Sequence, residues 1–182
     1  MLRVNSVLVV TRSIENIEFW GGDLALDFAN TTEGPGKDHL RTYADLVTWA
    51  HRAGALPSGV RPQQGGLRHA RELRAAIYGV FARDDPRAQK QLLRFYADAV
   101  AQAVIEDGDW TWDGRRPDRP LWPIAVAAVD LLRSDRLMRV KQCDNCDWLF
   151  VDRSRNGSRR WCSMDECGVH VKMRRYRAGR RG

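Results

Sequence analysis

Long apolar runs are missing from this chain. No stretch of it approaches the roughly 18 apolar residues that a membrane-crossing helix needs. The run Val7-Leu8-Val9-Val10 near the start is too short for the hydrophobic stretch of a secretory signal, so a cytoplasmic, reducing compartment is expected. Familiar catalytic patterns are missing as well: there is no H-E-x-x-H, no P-loop and no glycine-rich dinucleotide fingerprint. Gly21-Gly22 alone does not make one, and a hinge or a close-packing role is expected there. The chain has no internal repeat and no low-complexity run. Cysteine is scarce, with 4 in 182 residues, and all four lie beyond residue 142.

What is present is enough for one ordinary domain and a small appendage. A hydrophobic content of 43% supports a buried core, and 29% charged residues is ordinary. The charge is unevenly placed. Residues 1–138 carry 18 Lys and Arg against 18 Asp and Glu, whereas residues 139–182 carry 12 against 5. The whole formal excess of +7 therefore falls in the segment that holds the cysteines. A basic tail can simply aid solubility, but joined to a folded module it reads as a footprint for phosphate.

The cysteines are Cys143, Cys146, Cys162 and Cys167, spaced C-x2-C-x15-C-x4-C. Two close pairs brought together by a hairpin are what a tetrahedral four-thiolate zinc site requires. Two disulfides, or four unrelated buried thiols, are the alternative, disfavoured by the expected compartment and by the regular pairing. Four thiolates leave no open coordination position, so one structural Zn2+ is expected and zinc-hydrolase chemistry is not. A module of this size buries too little apolar surface to fold alone. Structural zinc supplies on the order of 10–16 kcal/mol in small fingers, so the metal would decide whether it exists.

The pattern of apolar residues predicts a mainly α protein. Residues 1–136 form a helical domain with minor β content, and residues 137–182 form a treble-clef-like zinc finger. A strand is expected over Val4–Thr11, a short helix within residues 23–30, and a loop from Thr31 to Asp38 around Gly34-Pro35-Gly36. Helices follow over Thr42–Ala53 and Leu67–Arg83. The next begins with Asp85 as cap and Pro86 at its first position, burying Leu92, Leu93, Tyr96, Val100, Val104 and Ile105. Trp110 and Trp112 alternate as in a small hairpin. An apolar helix over Leu121–Leu132 should be central. In the finger, strands near Met138–Gln142 and Trp148–Val151 precede a basic turn. Ser163-Met164-Asp165-Glu166 then has the form of a capping box opening a helix to about Ala178, with Cys162 outside it and Cys167 in its first turn.

Arg159-Arg160-Trp161-Cys162-Ser163-Met164-Asp165-Glu166-Cys167-Gly168, followed by Lys172 and the arginines, resembles the CGNR zinc-finger family of candidate bacterial transcription regulators. Gly21-Gly22-Asp23-Leu24-Ala25-Leu26-Asp27-Phe28-Ala29-Asn30-Thr31 is similar to the opening signature of the ABATE domain that precedes such fingers. The resemblance implies a helical domain joined to a zinc module that binds DNA. The name-giving tetrapeptide is altered, because Val169-His170 stands where the family usually has Asn-Arg.

Candidate nucleic-acid contacts are Arg153, Arg155, Arg159 and Arg160 in the turn, and His170, Lys172, Arg174, Arg175 and Arg177 on the helix. Arginine suits bidentate phosphate contact. These residues form no single helical stripe, and Val169, Met173 and Tyr176 make an apolar stripe between them. That stripe is expected to pack on the larger domain or on a second subunit, giving a homodimer. Asp27 and Asn30 are candidates for a small-molecule effector site, with His39 and His51 beside them, although Asp27 and Asn30 also suit helix ends and turns. Trp20, Trp49, Trp110, Trp112 and Trp122 are expected in the core. The expected function is a non-enzymatic, ligand-responsive regulator that binds DNA. An adaptor using the apolar stripe on a protein partner is the alternative.

Overall fold

The computed structural model describes residues 13–32 and 37–180. The strand expected over Val4–Thr11 and the Gly34-Pro35-Gly36 turn lie outside the described residues.

Helix α1, Leu24–Ala29, starts where extended Asp23 accepts the Ala25 N–H at 3.0 Å. It is short but sits deep, with Ala25, Leu26, Asp27, Phe28 and Ala29 all buried. Helix α2, Tyr43–Arg52, opens with a reciprocal capping box between Thr42 and Asp45. Gly54, at φ +73°, takes the left-handed conformation after its end. Helices α3, Arg68–Arg83, and α4, Pro86–Ala101, form a tight pair. Asp84 is left-handed at φ 50° and Asp85 caps Arg87 N at 2.8 Å. The pair crosses closely at Gly79, where an added Cβ would lie 2.6 Å from Ala88 Cβ.

The expected burial along α4 needs correction. The helix ends at Ala101, and Val104 and Ile105 leave it for strand β1, Val104–Glu106, which pairs antiparallel with β2, Asp109–Thr111. Asp107 and Gly108 both have positive φ, +51° and +87°, the geometry of a two-residue hairpin turn that β-branched neighbours favour over continued helix. Val104 and Ile105 are therefore exposed rather than core, as is Leu93 on the outer face of α4. Trp112 anchors the ribbon, its indole N–H donating to Ala99 O at 2.8 Å. Trp110 lies at the surface, whereas Trp49 and Trp122 are buried as expected.

Helix α5, Trp122–Arg133, is the central element and packs against both α4 and α1. Strands β3, Val140–Gln142, and β4, Leu149–Val151, form an antiparallel hairpin with Lys141 opposite Phe150. After the basic turn, a π-type turn at Met164–Gly168 leads into α6, Val169–Gly179. The core is continuous: β4 is wholly buried and joins the same apolar cluster as Phe28, Trp49 and Leu73. Among the described residues no helix is long and apolar enough to cross a membrane.

Candidate metal centre and basic surface

The four sulfurs converge. Cys143 and Cys146 lie on the turn between β3 and β4, closed by Cys143 N–H to Trp148 O at 2.8 Å and Asp147 N–H to Cys143 O at 3.2 Å. Cys162 precedes the π-type turn and Cys167 lies within it. Ser163 caps that turn as expected, its hydroxyl accepting Glu166 N–H at 3.3 Å. The four Sγ atoms lie within 4.8 Å of one another. Cys146 Sγ is 3.5 Å from Cys162 Sγ, which is 3.6 Å from Cys167 Sγ. Disulfide sulfurs would sit about 2 Å apart, whereas thiolates 2.3 Å from a shared zinc lie about 3.8 Å apart. The spacing matches the metal.

The charges ask for a cation as well. Hydrogen bonds from Cys146 and Cys162 pull the Cys143 thiol far below its ordinary value. Those same bonds to Cys143 push Cys146 and Cys162 above theirs, and burial adds to the shift. Proximity thus favours the thiolate at Cys143 and opposes those at Cys146 and Cys162, and a shared cation would offset that opposition. A Zn2+ held by Cys143, Cys146, Cys162 and Cys167 would close the module and supply structure, not catalysis. Asn145 steadies the shell, its amide donating to Cys167 Sγ at 3.3 Å while Arg174 donates to its carbonyl at 2.6 Å.

The hairpin is seated in a socket made by the Gly21–Thr32 segment. Asn30 brackets one residue of β4: its Nδ2 donates to Leu149 O at 2.9 Å, and its Oδ1 accepts Leu149 N–H at 2.8 Å. Val151 N–H reaches Gly21 O at 2.8 Å, and the Trp148 indole N–H reaches Thr32 O at 3.0 Å. Asp27 holds the socket's edge, accepting Gly21 N–H at 2.7 Å. Burial pushes its carboxyl up to about 7, against the pull of that N–H and of Arg153. A Cβ on Gly21 would lie 2.9 Å from Asp27 Oδ1, so close packing rather than hinging explains this glycine. The hydrogen bonds of Asp27 and Asn30 thus go to backbone. His51 likewise faces Leu56 O at 3.2 Å.

Residues 22–135 match the ABATE family model, described as "Putative stress-induced transcription regulator", and residues 139–180 match the CGNR zinc finger. The chain belongs to the ABATE family. Its C-terminal segment is a CGNR zinc finger, and the four cysteines of this ABATE protein are placed to bind one metal ion. Both models describe regulator and zinc-finger types rather than enzyme families. No curated protein matches the chain.

The basic residues of this ABATE protein divide by what they touch. Arg159 is half-buried, its guanidinium donating to Trp161 O at 2.7 Å and to Cys162 O, and lying 4.9 Å from the Phe150 ring centre. Arg160 pairs with Asp144 at 2.6 Å, and Arg153 donates to Gly22 O at 2.7 Å. Arg155, His170, Lys172, Arg175 and Arg177 are exposed and carry no ion pair with a carboxylate among the described residues. The turn holding Arg153 and Arg155 is braced by a group that sequence reasoning missed. Lys141 Nζ donates to Asp152 Oδ2 at 2.7 Å, to Arg159 O at 3.2 Å and to Gly157 O. Burial raises the Asp152 carboxyl, but Lys141, Ser154 and the Arg159 N–H outweigh it and hold it well below the carboxylate range.

The apolar stripe departs from one of its two expectations. Val169, Met173 and Tyr176 are 44%, 48% and 61% exposed, so they do not pack on the larger domain. The physical reason is that α6 leaves the metal cluster at Cys167, and its main packing is against the Met164–Gly168 turn alone.

Proposed function

We propose that this protein is a cytoplasmic DNA-binding regulator in which the helical part, residues 1–136, senses a small effector and the zinc finger, residues 137–182, holds the nucleic acid. The observation that carries the reading is α6: it buries no residue, contains no acidic side chain and presents His170, Lys172, Arg174, Arg175 and Arg177 to solvent. A free helix of this width fits the major groove of duplex DNA, and arginines on it suit phosphate oxygens. The metal cluster fixes the angle at which the helix leaves the body. Arg155, on the Lys141-braced turn, adds a further exposed cation. Arg159 is excluded from this surface by its internal contacts.

The test is a salt titration of zinc-loaded protein on random-sequence duplex DNA, read by fluorescence anisotropy. If Arg155, Lys172, Arg175 and Arg177 each neutralise one phosphate, log K falls against log salt with a slope of about −4. A flat line would refute the reading. The exposed Val169, Met173 and Tyr176 stripe favours a second one, in which α6 docks on a protein, a second copy of this chain being the simplest case. Protein capture with no measurable nucleic-acid binding would select it.

A further inference from the structure

A cleft of about 320 Å³ opens in the helical part, between the N-terminal half of α3, the middle of α4 and the start of α5. Its volume falls at the small end of ligand cavities. Two aromatic side chains line it, Phe95 and Trp122, together with the guanidiniums of Arg94 and Arg116 and several carboxylates.

The charges in the cleft are unequally satisfied. Each carboxylate already has a donor. Glu72 pairs with Arg68 at 3.1 Å, Asp118 receives His69 Nδ1 at 3.0 Å, and Asp98 accepts the Trp122 indole N–H at 3.1 Å. Among the described residues neither guanidinium meets a carboxylate: Arg94 reaches Gln91 Oε1 at 3.4 Å, and Arg116 lies over the Trp122 ring at 5.6 Å from its centre. Glu72 and Asp98 each use one carboxylate oxygen in these bonds, so the preference for an anion rests on the two guanidiniums, which lie in the cleft and meet no carboxylate among the described residues. The aromatic lining adds a preference for a flat ring.

We infer that this cleft is the effector site and that its ligand is a planar aromatic carboxylate, held by Arg94 and Arg116 with its ring against Phe95 and Trp122. The inference rests on the ligand-sensing part of the function proposed above and gives that part a place and a chemistry. A path to the finger is present in α3. Its N-terminal half borders the cleft through His69 and Glu72. Further along, the Tyr78 hydroxyl donates to Asp147 O at 3.3 Å and accepts from Gln142 Nε2 at 2.8 Å, beside the cysteine turn.

The experiment compares benzoate, neutral benzamide and cationic benzamidine by calorimetry on the full zinc-loaded chain without DNA, with the Trp122 indole N–H followed by NMR. Benzoate should bind saturably and shift the Trp122 resonance, with benzamide at least about tenfold weaker because it lacks the charge-assisted contact. Arg94→Gln and Arg116→Gln should each weaken benzoate by a similar factor and leave the circular dichroism unchanged. If either variant fails to fold, the comparison of the three probes on the unaltered chain decides alone. Equal binding of benzoate and benzamide, preference for benzamidine, or no saturable heat with benzoate overturns the assignment. Because no DNA is present, failure here leaves the salt-titration result standing, and failure of that titration leaves this one standing.

Discussion

Replacing Asn30 with alanine tests whether the helical part and the finger are one cooperative structure. Asn30 is 1% exposed and Leu149 is fully buried, so bulk solvent does not reach the groups that the lost amide leaves behind. The substitution leaves both Leu149 N–H and Leu149 C=O without their partners, bonds of 2.8 and 2.9 Å. An unsatisfied buried polar group costs about 1–3 kcal/mol, so the two together should remove about 4 kcal/mol. That is a large share of the roughly 5–15 kcal/mol that holds a domain together. Urea unfolding of zinc-saturated protein reads the loss as a fall in midpoint at constant slope. Hydrogen exchange at the Leu149 amide reads it locally, since that N–H should lose protection first. A loss below about 1 kcal/mol would refute the reasoning, because it would mean that β4 does not depend on the bracket.

Asp27→Asn should flatten the pH dependence of stability. The folded carboxyl, raised to about 7 from 3.8 by burial, binds its proton more tightly than the unfolded chain does. Its contribution is therefore complete below pH 3.8 and lost as pH rises through 7, to a limit of about 4 kcal/mol. The variant keeps an acceptor for Gly21 N–H and should be the more stable protein at pH 8; equal slopes in denaturation from pH 5 to 8 would refute this. Chelating the metal, or Cys143→Ser, should release one zinc per chain by elemental analysis and lower the unfolding midpoint of the whole protein, not only of the finger. A helical part that melts at an unchanged temperature would count against the shared core. Met173→Glu should leave the monomer's stability within about 0.5 kcal/mol, since the residue is 48% exposed. If light scattering finds a dimer that this change dissociates, the α6 stripe is its interface; an unchanged dimer would place the interface elsewhere.

What could be read from the residues was whatever depends on short spacing. The cysteine pattern was legible because a tetrahedral ion imposes the same geometry in any context, and Asp85-Pro86 and Ser163 marked helix starts because capping is local. Val104 and Ile105 were misplaced because their apolar character continued the α4 pattern, while the turn at Asp107-Gly108 carried the competing signal. The bracket of Leu149 by Asn30 joins positions 119 apart, and no periodicity reports a pairing of that kind. Arg74 was illegible for the same reason: it reads as a helix-surface cation but is 9% exposed and grips Asp38 through two bonds of 2.7 Å. Arg159 was misleading. In a basic turn it looks free for phosphate, yet its guanidinium is occupied by backbone carbonyls that sequence does not display.

The Asn30 bracket also sets a thermodynamic relation between metal and helices. A metal held by Cys143 and Cys146 would tighten the β3–β4 turn, and the same hairpin delivers Leu149 to Asn30, the C-cap of α1. Helix α1 in turn packs on α3 and α5. Free energy gained at the cluster therefore reaches the centre of the helical bundle through one strand. Linkage requires the reverse to hold by the same factor: whatever steadies α1 or α3 raises the affinity of the cysteines for their ion. On this argument Asn30→Ala, which touches no ligand of the metal, should still weaken zinc retention in competition with a chelator, and a site that holds zinc equally well in that variant would show the finger folding independently of its socket.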